Sequence, residues 1–121
     1  MALRIRLEPQ EWLMVGTSRV LNIWNETAKL KIHGAGPVLR QEHTLSEDDA
    51  DSSAKRVYYA VQTAYLGINS NLDAYFDLVD ALLKENPESS DIVQIANDHI
   101  SKGSFYGALL EYRKLIGPKS R

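Results

Sequence analysis

Residues 38–66 read VLRQEHTLSEDDADSSAKRVYYAVQTAYL, and the apolar period of the chain changes inside this stretch. Upstream, apolar residues recur at every second position. In residues 3–7 (LRIRL) Leu3, Ile5 and Leu7 alternate with Arg4 and Arg6; in residues 28–33 (AKLKIH) Ala28, Leu30 and Ile32 alternate with Lys29, Lys31 and His33. Period two marks a strand with one face buried and the other in water. WLMV (12–15) and VLNIW (20–24) are further short strand candidates, separated by turn residues at Gly16–Ser18 and Asn25–Thr27, and AGPV (35–38) breaks the chain before a last short strand. These connections are too short for crossovers, so residues 1–45 predict a small, mostly antiparallel β-sheet of about five strands.

Downstream of Ser52 the apolar residues fall at helical spacing. Val57, Val61, Ala64, Tyr65 and Ile68 form one stripe, and Leu72, Tyr75, Phe76, Val79, Leu82 and Leu83 a second. Ile92, Ile95, Ala96, His99 and Ile100 form a third; Phe105, Ala108, Leu109, Tyr112, Leu115 and Ile116 a fourth. Asn71, Ser89 or Ser90, and Ser104 are candidate N-caps, Gly67 and Gly103 candidate helix ends, and Gly117-Pro118 stops the last helix. The expected class is therefore α+β: a sheet part over residues 1–45 and about four short amphipathic helices over 46–121, packed as one domain.

Composition narrows the function. A chain of 121 residues holds one domain, and the absence of cysteine removes disulfides, thiol nucleophiles and cysteine-based zinc sites. No apolar run approaches the length needed to span a bilayer, so a soluble cytoplasmic protein with no membrane partner is expected. The net charge of −2 is unevenly spread. Residues 1–45 carry Arg4, Arg6, Arg19, Lys29, Lys31 and Arg40 against Glu8, Glu11, Glu26 and Glu42, and the acidic run Glu47, Asp48, Asp49 and Asp51 follows. A near-neutral chain argues against indiscriminate polyanion binding but leaves room for a local basic surface.

Little in the sequence points to catalysis. His33, His43 and His99 lie far apart without metal-ligand spacing, and His99 on an apolar stripe reads as packing. The acidic run lacks the glycine and distal glutamate of a calcium loop and instead suits the N-terminus of the first helix, where the dipole favours negative charge. No Gly-rich phosphate loop, nucleophile elbow or paired catalytic carboxylates stands out, so neither an enzyme nor a cofactor or metal is expected. The segment 55–66, with Lys55 and Arg56 beside Tyr58 and Tyr59, has the ingredients for stacking bases and holding phosphate, yet Tyr58, Gln62 and Tyr65 share a helical face that suits packing.

Taken together, MALRIRLEP (1–9), VLRQEH (38–43) with the acidic run behind it, DSSAKRVYYAVQTAYL (51–66) and KGSFYGALLEYRKLI (102–116) make the chain resemble, nearly end to end, the FlbT family of flagellum biosynthesis repressors. Ser52-Ser53 stands where that family commonly has Thr-Pro, and Gly107 where it tends to carry lysine. The resemblance implies post-transcriptional control of flagellin synthesis through the 5′ untranslated leader of flagellin mRNA. A weaker similarity links QEWLMVG (10–16), AKLKIHG (28–34) and VLRQEH to the strands of the translational repressor CsrA, in which first and last strands from two protomers grip an RNA loop. Gln10 stands where those proteins usually have glycine. Carried over, this implies Leu3 and Arg4 on the first strand and Arg40 on the last as RNA contacts, with Lys29 and Lys31 beside them, Arg6, Lys55 and Arg56 as secondary contacts, and a homodimer as the favoured assembly. The alternative is a protein-interaction module of flagellar assembly whose helices hold flagellin or a FlaF-like companion and act on the mRNA indirectly.

Overall fold

Alternating side chains commit a strand to one wet and one dry face, and in this protein two such dry faces close on each other. A computed structural model describes residues 2–34, 36–69 and 72–117. Among them, β1 (Ala2–Leu7), β2 (Trp12–Val15), β3 (Ser18–Leu21), β4 (Ala28–His33) and β5 (Val38–Arg40) precede α1 (Ser53–Leu66), α2 (Asp73–Glu85), α3 (Ser90–Ser101) and α4 (Phe105–Ile116). The chain divides into two compact units, Met1–Thr44 and Leu45–Arg121.

In the first unit the strands form two antiparallel sheets, a β1–β4 ribbon and a three-stranded sheet in the order β3-β2-β5. The mostly antiparallel α+β arrangement holds, with the five strands distributed over two sheets. Asn22 explains the separation of β3 from β4. Its side-chain amide donates to the carbonyls of Leu7 and Glu26, both at 2.9 Å, and so diverts the chain into a loop where a tight hairpin would have paired the two strands. Ile5 and Leu7 from the ribbon and Leu13 from β2 form the buried centre, with Val15, Leu30, Ile32 and Val38 packed around it. Stacking one apolar face on the other removes both from water, which neither small sheet achieves alone. The turn from β1 to β2 runs through Gln10 at φ 67°, a left-handed conformation that favours glycine.

In the second unit α1 packs against α2 and α4, and α3 against α4. Ser52 caps α1, its hydroxyl accepting from the Lys55 amide at 3.2 Å, and Gly67 closes the helix in the left-handed region at φ 81°. Ser89 and Ser104 stand at the N-cap positions of α3 and α4 without a side-chain capping bond. The candidate cap Asn71 and the stop at Pro118 lie outside the described residues. The core takes Val57, Tyr58, Val61, Leu66, Tyr75, Val79, Leu82, Val93, Ala96, Ala108, Leu109 and Tyr112. Three stripes thus differ from the expected ones: Ile68 in the first and Phe76 in the second are exposed, and Val93 rather than Ile95 faces inward on α3. Residues 92, 93, 95 and 96 of α3 are all apolar, so spacing alone leaves two faces to choose between.

Polar side chains order this core. The Tyr75 and Tyr112 hydroxyls are 2.6 Å apart, and Tyr75 also donates to Asn97. Gln62 pins Leu45 to α1 by accepting from its amide and donating to its carbonyl, both at 2.8 Å. At the α3–α4 contact a β-carbon on Gly107 would lie 2.6 Å from the His99 ring, so the ring occupies the space that a side chain there would take. His99 is a packing residue, and Gly107 is what its ring requires.

Candidate nucleic-acid interface

The register of the β1–β4 ribbon sets Arg4 opposite Lys31 and Arg6 opposite Lys29. Because Ile5, Leu7, Leu30 and Ile32 take the inner face, all four cations project from the outer one, where they are exposed. His33, across from Ala2, continues that face at the open end. Like charges directly opposite one another destabilise a strand pair. Among the described residues no carboxylate is ion-paired with any of the four; the ion pairs involve Arg40, His43, Lys55, Lys102 and Lys114 instead. The ribbon is therefore a concentrated positive surface on a chain whose net charge is −2, and an anion laid along it would relieve the repulsion.

Arg40 lies beside this ribbon. It stands on β5 opposite Leu13, and its Nη2 donates to the Arg6 carbonyl of β1 at 3.3 Å. Its Nε lies 3.6 Å from a Glu42 carboxylate oxygen, which is also 3.7 Å from His43 Nε2. Arg40 thus ties the short sheet to the backbone of the ribbon, and its side chain, 40 % exposed, keeps further donors turned to water.

The other candidate residues are placed differently. Leu3 pairs with Ile32 and falls on the face opposite Arg4, although it is 47 % exposed. Lys55 and Arg56 belong to α1 in the helical unit, with Lys55 ion-paired to Asp51 at 3.3 Å. Tyr58 is buried and accepts from Arg113 Nε at 3.2 Å; burial, partly offset by that guanidinium, pushes its phenol above its ordinary range. Tyr58 is thus a core residue, while Tyr59 and Tyr65 are half-buried.

One exposed feature escaped the pattern reading. VLNIW suggests a strand through Trp24, but β3 ends at Leu21, and Ile23 and Trp24 occupy the loop, 81 % and 56 % exposed. The signal was Asn22, whose short amide bonds backbone groups and favours turns.

Fold and surface together define a small α+β protein with a helical unit and a sheet unit that carries a cationic two-stranded ribbon. The sequence profile of the family described as flagellar protein FlbT matches residues 3–119. The chain belongs to the FlbT family. It is 37 % identical over 119 residues to the "Probable flagellum biosynthesis repressor protein FlbT 1" of Bradyrhizobium diazoefficiens, covering 96 % of this chain and 81 % of that relative. It is 34 % identical over 118 residues to the "Probable flagellum biosynthesis repressor protein FlbT" of Rhodopseudomonas palustris, covering 96 % and 93 %. A similarly named protein from a Caulobacter strain is 28 % identical over 123 residues. No solved structure matches.

Proposed function

We propose that the protein is a non-catalytic regulator of flagellar synthesis that binds the 5′ untranslated leader of flagellin mRNA and lowers its translation or lifetime. The observation that carries this reading is the outer face of the β1–β4 ribbon, where Arg4, Arg6, Lys29 and Lys31 stand in two like-charged cross-strand pairs. Cations on adjacent strands follow a single-stranded phosphate backbone, and releasing its counterions supplies affinity. Arg40, at the edge of the ribbon, offers a planar fork suited to guanine or phosphate. The names of the relatives, as repressors of flagellum biosynthesis, agree with such a role.

The test is the affinity of the purified chain for a flagellin leader against a scrambled RNA of equal length at physiological salt. Tight, leader-selective binding is expected; equal, weak binding of both by folded protein would remove the RNA reading.

A second reading rests on the helical unit, which leaves Phe76, Ile95, Tyr106 and Leu110 exposed on three helices. Exposed apolar area of this kind suits a protein partner such as flagellin or a FlaF-like companion, with an indirect effect on the mRNA.

A further inference from the structure

We propose that Trp24, on the β3–β4 loop, is a stacking platform for an unpaired base of the RNA whose phosphates lie on the β1–β4 ribbon; the inference rests on the RNA reading above.

The loop is built to hold an indole in water. Asn22 is buried and bonded on every side. Its amide donates to the Leu7 and Glu26 carbonyls, its Oδ1 accepts from the Trp24 amide at 2.9 Å, its own amide donates to Glu11, and its carbonyl accepts from Gln10. Beyond this anchor stand Ile23 and Trp24, among the most exposed large apolar residues described. These bonds hold the backbone from which the indole projects, so a base that stacks on it meets less ordering cost than on an untethered loop.

The anchor also fixes where the indole sits. Leu7 pairs with Ala28, and the next pair along the ribbon is Arg6 with Lys29. Asn22, bonded to Leu7, therefore attaches the loop to the end of the ribbon next to a cationic pair. Charge separates two roles along this line. Glu26 is exposed on the loop, and the Glu8 carboxylate accepts from the Thr27 hydroxyl at 2.8 Å. Carboxylates at the tip repel phosphate but accept hydrogen bonds from base amino groups. Phosphates thus belong on the ribbon and a base on Trp24, which is the division that single-strand binders use.

The experiment uses the full chain carrying Trp12→Phe, so that Trp24 is the one tryptophan, titrated with the unstructured flagellin leader RNA that the parent binds most tightly and with inorganic polyphosphate of similar charge. The RNA is expected to quench the Trp24 emission, and polyphosphate to bind without quenching. Trp24→Ala, in the otherwise native chain, is expected to weaken RNA binding about 5- to 100-fold while leaving the affinity for polyphosphate within about twofold, and Trp24→Phe to restore most of the loss. If Trp24→Ala binds RNA like the parent while Arg4→Ala weakens both ligands, stacking is overturned and the RNA reading stands. If Trp24→Ala weakens RNA and polyphosphate equally, its role is structural and stacking is again overturned. If the folded parent binds neither ligand, both proposals fall.

Discussion

At the scale of single residues, the sheet unit stores strain at Gln10 and order at Asn22. A non-glycine residue in the left-handed region costs about 1 kcal/mol. Gln10, at φ 67°, makes the turn that brings β2 under the ribbon. Gln10→Gly is accordingly expected to raise stability by about 0.5–1 kcal/mol in urea unfolding, the relief being partly offset by the greater freedom of glycine in the unfolded chain. The comparison with CsrA-like strands marks Gln10 as standing in place of glycine, and that departure left the turn open at the level of sequence. Asn22 was not legible, because its five bonds run to residues up to fifteen positions away that no local pattern connects.

The helical core holds a second residue-scale prediction. Burial pushes the phenols of Tyr75 and Tyr112 upward, and for Tyr112 the hydrogen bond with Tyr75 adds to the effect. The folded chain then keeps protons that the unfolded chain gives up above about pH 10. Stability from this pair is fully present below that pH and falls as pH rises beyond it, since the folded state binds more protons than the unfolded. Thermal melts followed by circular dichroism from pH 8 to 11.5 should show this decline, and Tyr112→Phe should start lower and decline less steeply.

At the scale of elements, the ribbon sets stability against the RNA binding proposed for it. Arg4 faces Lys31, and Arg6 faces Lys29. Lys31→Glu replaces a repulsive cross-strand pair with an attractive one, so it is expected to stabilise the fold by about 0.2–1 kcal/mol and to weaken RNA binding at the same time. Opposite signs in unfolding and binding measurements on one variant would mark the ribbon as a surface kept for an anion; a change of the same sign in both would mark it as ordinary. Alternation made the cationic face readable from LRIRL and AKLKIH, because period two fixes which residues share a side. It could not assign partners: the same alternation is compatible with one five-stranded sheet or with two sheets face to face, and the choice rests on the Asn22 loop. On α3, apolar residues on both sides of Gln94 hid which of Val93 and Ile95 faces inward.

At the scale of the whole molecule, charge is distributed rather than abundant. The chain has 14 basic and 16 acidic residues, and four of the basic ones are gathered on one face of one ribbon. A net charge of −2 gives no general attraction for polyanions, so the binding proposed for the ribbon depends on this local face. No helix among the described residues is long and apolar enough to cross a membrane. The fold class was legible from the change of period near residue 50 and the family from motifs spread over the length. The exposed Trp24 was not, since its strand-like neighbourhood concealed a loop.

The most direct test of the account is the salt dependence of binding to the flagellin leader for the parent and for Lys29→Ala, measured between about 50 and 200 mM salt. A phosphate contact at Lys29 predicts that the slope of log affinity against log salt becomes shallower by about 1 in the variant, with weakening that does not depend on RNA sequence. An unchanged slope and unchanged affinity in a folded Lys29→Ala chain would contradict the ribbon as the RNA surface.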